Sequence, residues 1–191
     1  MEQAHSNKHA STSVFTIPNL LSFLRLLMVP AIVWMHLSGR NALLTAGLVV
    51  ISGLTDLADG YIARRFHMVS DLGKALDPIA DKLTQAAVLA CLALRYPLMI
   101  LPLALLMLKE TAAAVLGLLI IRRTGQVYGA DWHGKVATAL LYAMMTLHLL
   151  WSGISPAIST VFILLCTAAL CFSCVCYTGK NLRLLRKGRK D

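Results

Sequence analysis

The sequence predicts an all-α, polytopic membrane protein of six transmembrane helices, and three observations predict it. Hydrophobic residues make up 58% of the 191 and charged residues only 14%, against roughly 25% charged in an ordinary soluble domain. Six apolar stretches, each near the roughly 20 residues that cross a bilayer, follow one another with short polar turns between them. The basic residues gather in alternate turns and at the C-terminus. Together these exclude a soluble globular domain, a disordered chain and a disulfide-stapled secreted scaffold.

The polar stretch 1–15, rich in Ser, Thr, Asn and His, lacks the charged leader, short apolar core and small-residue cleavage site of a secretory signal, and reads as a cytoplasmic tail. The first apolar stretch covers 20–37. Arg25 stands among leucines shortly before Pro30, which predicts that part of 17–27 lies along the interface before the chain enters the bilayer. The second and third stretches cover 41–63 and 76–94, and a short loop at 65–73 makes them antiparallel neighbours. The fourth, fifth and sixth cover 97–121, 136–151 and 156–177, and the basic segment 180–191 is a second tail; residues 16–179 form the six-helix transmembrane domain.

Eighteen basic against nine acidic residues give a formal charge of +9. In a soluble protein such a balance points to nucleic acid. Here Arg64, Arg65, Lys74, Arg122, Arg123 and Lys135 fall between apolar stretches and six more Lys and Arg crowd the end. That is the positive-inside pattern, so the turns after the second and fourth stretches and both termini face the cytoplasm. Anionic headgroups, not nucleic acid, are the implied partners of the basic tail. Five cysteines all lie within apolar stretches, and C-x-x-C-x-C at 171–176 has no second ligand pair, so packing is the expected role.

The acidic residues are placed unevenly. Asp56, Asp59, Asp77 and Asp81 fall within 26 residues, where the second stretch ends and the third begins. An Asp at the centre of a membrane helix costs about 2.5 to 3.5 kcal/mol on the insertion scale. Depth near the interface lowers this, yet four such residues in one place still need a reason. Asp56 and Asp59 are three apart, and Asp77 and Asp81 four apart, so each pair shares a helix face. On antiparallel neighbours the two pairs can face each other.

Carboxylates so gathered repel unless cations neutralise them. Oxygen-only ligands favour a hard ion, Mg²⁺ or Mn²⁺. Two such ions bridged by carboxylates clamp a phosphoryl or pyrophosphoryl group for in-line displacement. Gly60 and Gly73 allow close approach of backbone or ligand, Arg64 can fork onto a phosphate, and Ser70 offers a loop hydroxyl. Pro78 marks either the start of the third helix or a kink within it.

Residues 56–81 read D-L-A-D-G-Y-I-A-R-R-F-H-M-V-S-D-L-G-K-A-L-D-P-I-A-D. This resembles the signature of the CDP-alcohol phosphatidyltransferase family, D-x-x-D-G-x-x-A-R-x8-G-x-x-x-D-x-x-x-D, at every fixed position. The resemblance implies six transmembrane helices, phosphatidyl transfer from CDP-diacylglycerol to an alcohol, and a homodimer. It implies that Asp56 and Asp77 bridge two Mg²⁺ or Mn²⁺ ions, that Asp59 completes the shell of the first, and that Asp81 serves the second and acts as general base. Gly60, Arg64 and Ser70 match positions that hold the cytidine diphosphate part of the donor.

For the acceptor, I-P-N-L-L-S-F-L-R at 17–25 is similar to an opening shared within the family by phosphatidylglycerophosphate synthases and cardiolipin synthases. Lys109-Glu110 and G-K-V-A-T at 134–138 resemble an Arg-Glu pair and a G-K-x-K-T run of the former, with Lys in place of Arg and Ala137 in place of Lys. Glycerol 3-phosphate is the expected acceptor, with Arg25, Lys109, Arg122, Arg123 and Lys135 as the cations that could take its phosphate. Phosphatidylglycerol, giving cardiolipin, is the alternative. A divalent-cation carrier is the alternative from another class, and it would place its charges nearer the midplane in two related halves.

Overall fold

The computed structural model describes residues 17–39, 41–65, 71–124, 132–151 and 153–187. Among them there are six long helices and no strand: α1 (Ile17–Leu37), α2 (Ala42–Arg65), α3 (Asp71–Ala93), α4 (Ile100–Thr124), α5 (Trp132–Leu150) and α6 (Pro156–Lys187), with a 3₁₀ turn at Pro97–Met99 leading into α4. The expected tail at 1–15 and the positions of Arg40, Ser70 and Asp131 lie outside the described residues.

Local chemistry sets several of these ends. Asn41 caps α2: its Oδ1 accepts the Leu43 N–H at 3.1 Å, satisfying a donor that the first turn leaves without a helical partner. Ser155 does the same for α6 through the Ile158 N–H at 3.4 Å, and Pro156 stands at the first helical position, where its missing N–H is no loss. Past the end of α1, Gly39 takes φ of 61°, the left-handed conformation in which a Cβ is strained.

Two helices run on where the sequence left room for a break. α1 is continuous from Ile17 through Pro30 to Leu37. α3 begins at Asp71 and passes through Pro78, the longer of the two readings for that residue. Pro78 carries no N–H, so the carbonyl of Lys74 has no helix donor four residues on. At the other end, α6 has 32 residues and absorbs the segment 180–187 that composition marks as tail. At about 1.5 Å per residue it is roughly 48 Å long, well beyond the roughly 30 Å hydrocarbon core.

The helices pack with α1 against α2 and α3, α4 and α5 against α6, α5 against α2, and α3 against α4. A core of Ile32, Val49, Leu89, Leu92, Leu106, Leu141, Met145, Ile163 and Leu170 joins them. The exterior is apolar as well: Leu43, Leu44, Leu101, Met107, Leu108, Val115, Leu164, Leu165 and Phe172 are all exposed. Meanwhile Ser22, Arg25, Ser52, Thr84, Gln85, His148 and Ser173 are almost fully buried. Polar side chains inside and many large apolar ones outside suit a hydrocarbon surround.

Among the described residues three helical segments, Asn19–Leu37, Pro97–Arg122 and Pro156–Leu185, are long and apolar enough to cross a membrane by length and composition, and Ala42–Thr55 is a shorter apolar one. The second, third and fifth helices fall short for a chemical reason, since the acidic motif occupies α2 and α3, and His133, Lys135 and His148 occupy α5. Of the cysteines, Cys91 and Cys166 are buried as packing predicts, whereas Cys171 is exposed on the apolar exterior.

Candidate active site

The motif spans the last turns of α2 and the first half of α3, and the two helices touch. Asp56, Asp59, Gly60 and Arg64 lie on α2, and Asp77 on α3; their side chains are outside the described set, as is Ser70 altogether. Asp81 is the motif carboxylate whose surroundings are described. It is buried, 7% exposed, ten positions into α3.

Among the described residues three side chains hold Asp81. The Tyr142 hydroxyl, from α5, donates to Oδ1 at 2.8 Å. The Gln85 amide, one turn along α3, donates Nε2 to the same oxygen at 2.8 Å. The Lys82 ammonium lies 2.9 Å from Oδ2. Lys82 is also 3.6 Å from Glu110 on α4, whose Oε1 is 3.0 Å from the Lys109 ammonium. A line of alternating charge, Asp81–Lys82–Glu110–Lys109, therefore connects α3 to α4, and each charge in it has an opposite neighbour.

Tyr142 reaches Asp81 across Gly53. A Cβ on Gly53 would stand 3.3 Å from Cε1 and 3.4 Å from Cδ1 of the tyrosine ring, closer than side chains ordinarily approach. Asp56 follows Gly53 by three positions and so shares that face of the α2 backbone.

The expected phosphate-binding cations do not form one group. Lys109 is nearly buried beside Glu110, and Arg25 is wholly buried on α1, which packs against α2 and α3. Arg122 and Lys135 are exposed, at the end of α4 and the start of α5. Thirteen positions of continuous helix separate Lys109 from Arg122, a rise of about 20 Å, so no small phosphate touches both. The Arg123 side chain is outside the described set, and Ala137 is buried in the core, 1% exposed.

Lys82, Gln85, Gly53 and Tyr142 were not singled out by sequence reasoning. Gln85 had a signal, a polar residue four after Asp81 and so on the same helix face. Tyr142 had a weaker one, since Gly134, Thr138 and Tyr142 are spaced by four and share a face. Gly53 and Lys82 carried none that separates them from ordinary helix residues.

Comparison with known proteins agrees with the motif. A family model described as CDP-alcohol phosphatidyltransferase matches residues 15–173. The chain belongs to the CDP-alcohol phosphatidyltransferase family. Among curated relatives, a cardiolipin synthase (CMP-forming) of Streptomyces coelicolor is 38% identical over 154 residues, 73% of this chain and 67% of that protein. A CDP-diacylglycerol–glycerol-3-phosphate 3-phosphatidyltransferase of Rickettsia typhi is 39% identical over 69 residues, 35% of this chain and 39% of the relative. A cardiolipin synthase/mitochondrial hydrolase fusion protein of Schizosaccharomyces pombe is 43% identical over 83 residues, 44% of this chain and 14% of the relative. The chain thus spans well under half of the last two proteins.

Proposed function

We propose that this protein transfers a phosphatidyl group from CDP-diacylglycerol to a primary hydroxyl of glycerol 3-phosphate, giving phosphatidylglycerophosphate and CMP. All six helices would cross the bilayer with the motif and both termini on the cytoplasmic side, as the distribution of Lys and Arg favours. The observation that carries the reading is the placement of Asp81. It is buried among donors that keep it oriented, and the Glu110–Lys82 pair links it to Lys109, one of the cations expected to take an acceptor phosphate.

In this reading Asp81 takes the proton of the acceptor hydroxyl. The acceptor oxygen then forms a bond to the lipid-side phosphorus, and the bond from that phosphorus to the CMP oxygen breaks. Asp56, Asp59, Asp77 and Asp81 would hold two Mg²⁺ or Mn²⁺ ions; a donor set made only of carboxylates fits hard ions, which when bound would offset the charge of the diphosphate. Arg64, Gly60 and Ser70 would receive the cytidine diphosphate, and the acyl chains would stay in the bilayer beside the apolar exterior.

A second reading has a specific observation behind it. The position at which a second lysine of the G-K-x-K-T pattern would stand is Ala137, packed in the core. One cation fewer suits a singly charged acceptor such as phosphatidylglycerol, which would give cardiolipin, the product named for the Streptomyces relative. The test is the purified protein in lipid nanodiscs with CDP-diacylglycerol and Mn²⁺, offered each acceptor separately, with the lipid product identified by mass. Phosphatidylglycerophosphate supports the first reading, cardiolipin the second, and the absence of CMP release with both overturns the two together.

A further inference from the structure

The two oxygens of Asp81 are held unequally. Oδ1 accepts from both Tyr142 and Gln85, each at 2.8 Å. An ionised carboxylate oxygen offers about two lone-pair sites, so these donors fill it. Among the described residues Oδ2 faces Lys82, at 2.9 Å, and Lys82 has Glu110 within 3.6 Å as a second counter-charge toward which it can lean. The terminal torsion of an aspartate is broad and nearly two-fold, so without fixed donors the two oxygens would interchange.

Of the two donors, Gln85 rides on the same helix as Asp81, whereas Tyr142 comes from α5. Only the tyrosine fixes the carboxylate relative to another wall of the site. Its ring passes Gly53 at a separation that a methyl group at that position would disturb by a few tenths of an ångström. Gly53 stands one turn before Asp56 on α2. We infer that Tyr142 is a positioning residue that keeps Oδ1 of Asp81 occupied and presents Oδ2 to the acceptor hydroxyl, and that Gly53 provides the clearance for its approach. This rests on the reading of Asp81 as the base in phosphatidyl transfer.

Tyr142→Phe retains the ring against Gly53 and removes only the hydroxyl. In nanodiscs with CDP-diacylglycerol, Mn²⁺ and the accepted alcohol, kcat for CMP release should fall roughly ten- to hundredfold, the size of one charge-assisted hydrogen bond, with the donor KM within about twofold of wild type. Gly53→Ala should lower kcat by less, and Gly53→Ala/Tyr142→Phe together should be no slower than Tyr142→Phe alone, because both act through one contact. An unchanged kcat in Tyr142→Phe, or a loss confined to KM, overturns the inference; multiplicative losses in the double variant overturn the role of Gly53. A thermal-unfolding cycle of Tyr142→Phe with Asp81→Ala gives a readout without turnover: coupled shifts support the contact and additive shifts overturn it. A wild type that releases no CMP removes the transferase reading, whereas an active wild type with a fully active Tyr142→Phe removes only this inference.

Discussion

Two buried polar groups at different places in the bundle invite comparison. Around Asp81, four formal charges from α3 and α4 meet with a tyrosine from α5. Near the opposite end, His148 of α5 bonds the Met144 carbonyl through Nδ1 at 2.8 Å and Ser159 of α6 through Nε2 at 2.9 Å, with Tyr96 edge-on at 5.0 Å. Each ring nitrogen of His148 has a partner, which is the closed form expected of a polar group that ties two helices together. The Asp81 group is open by contrast: the carbonyl oxygen of Gln85 is buried without a partner beside it, and Lys82 is shared between two carboxylates. A closed network stabilises the bundle; an open one retains capacity for a ligand.

That contrast has measurable consequences. Asp81→Asn should lower CMP release by roughly a thousandfold or more, the scale of losing a general base, with the folded bundle retained; substantial residual turnover would remove Asp81 as the base. Glu110→Gln should lower kcat/KM for the acceptor about ten- to thirtyfold, because Lys82 and Lys109 lose their common counter-charge and Lys82 is drawn wholly onto Asp81; acceptor saturation curves read this. His148→Leu should do the reverse. It should destabilise the protein by about 1 to 3 kcal/mol, through an unsatisfied Ser159 and the lost tie between α5 and α6, yet leave turnover per folded molecule unchanged. A loss of turnover without a loss of stability would make the His148 group functional and dissolve the distinction. Arg122→Gln should change the acceptor KM by no more than about twofold, since the exposed end of α4 is roughly 20 Å of helix away from Lys109.

Much of this architecture was legible in the chain. Apolar stretches separated by Gly, Pro and charged turns foretold six helices within a few residues at most boundaries, because in a bilayer hydropathy and helix length are set by the same thickness. The exceptions have physical causes. Pro78 marks either the start of a helix or a kink within one, and α3 runs through it from Asp71. The basic segment after residue 177 continues α6, since Lys and Arg are good helix formers and nothing before Lys187 interrupts them. The acidic motif was legible to the residue because eight fixed positions at fixed separations specify it.

The partners of Asp81 were less so. Glu110 and Lys109 stood out as charges in an apolar stretch, but that Lys82 would join them to Asp81 depends on how α3 meets α4. Tyr142 is 61 residues from its partner, and spacing along one helix says nothing about which aromatic of another faces it. Composition and periodicity dictate which segments enter the membrane and which face carries the carboxylates, because those are properties of a single helix in its solvent. Which oxygen of Asp81 is held, and by whom, follows from helix rotation and close approach at Gly53, properties that exist only once the helices have packed.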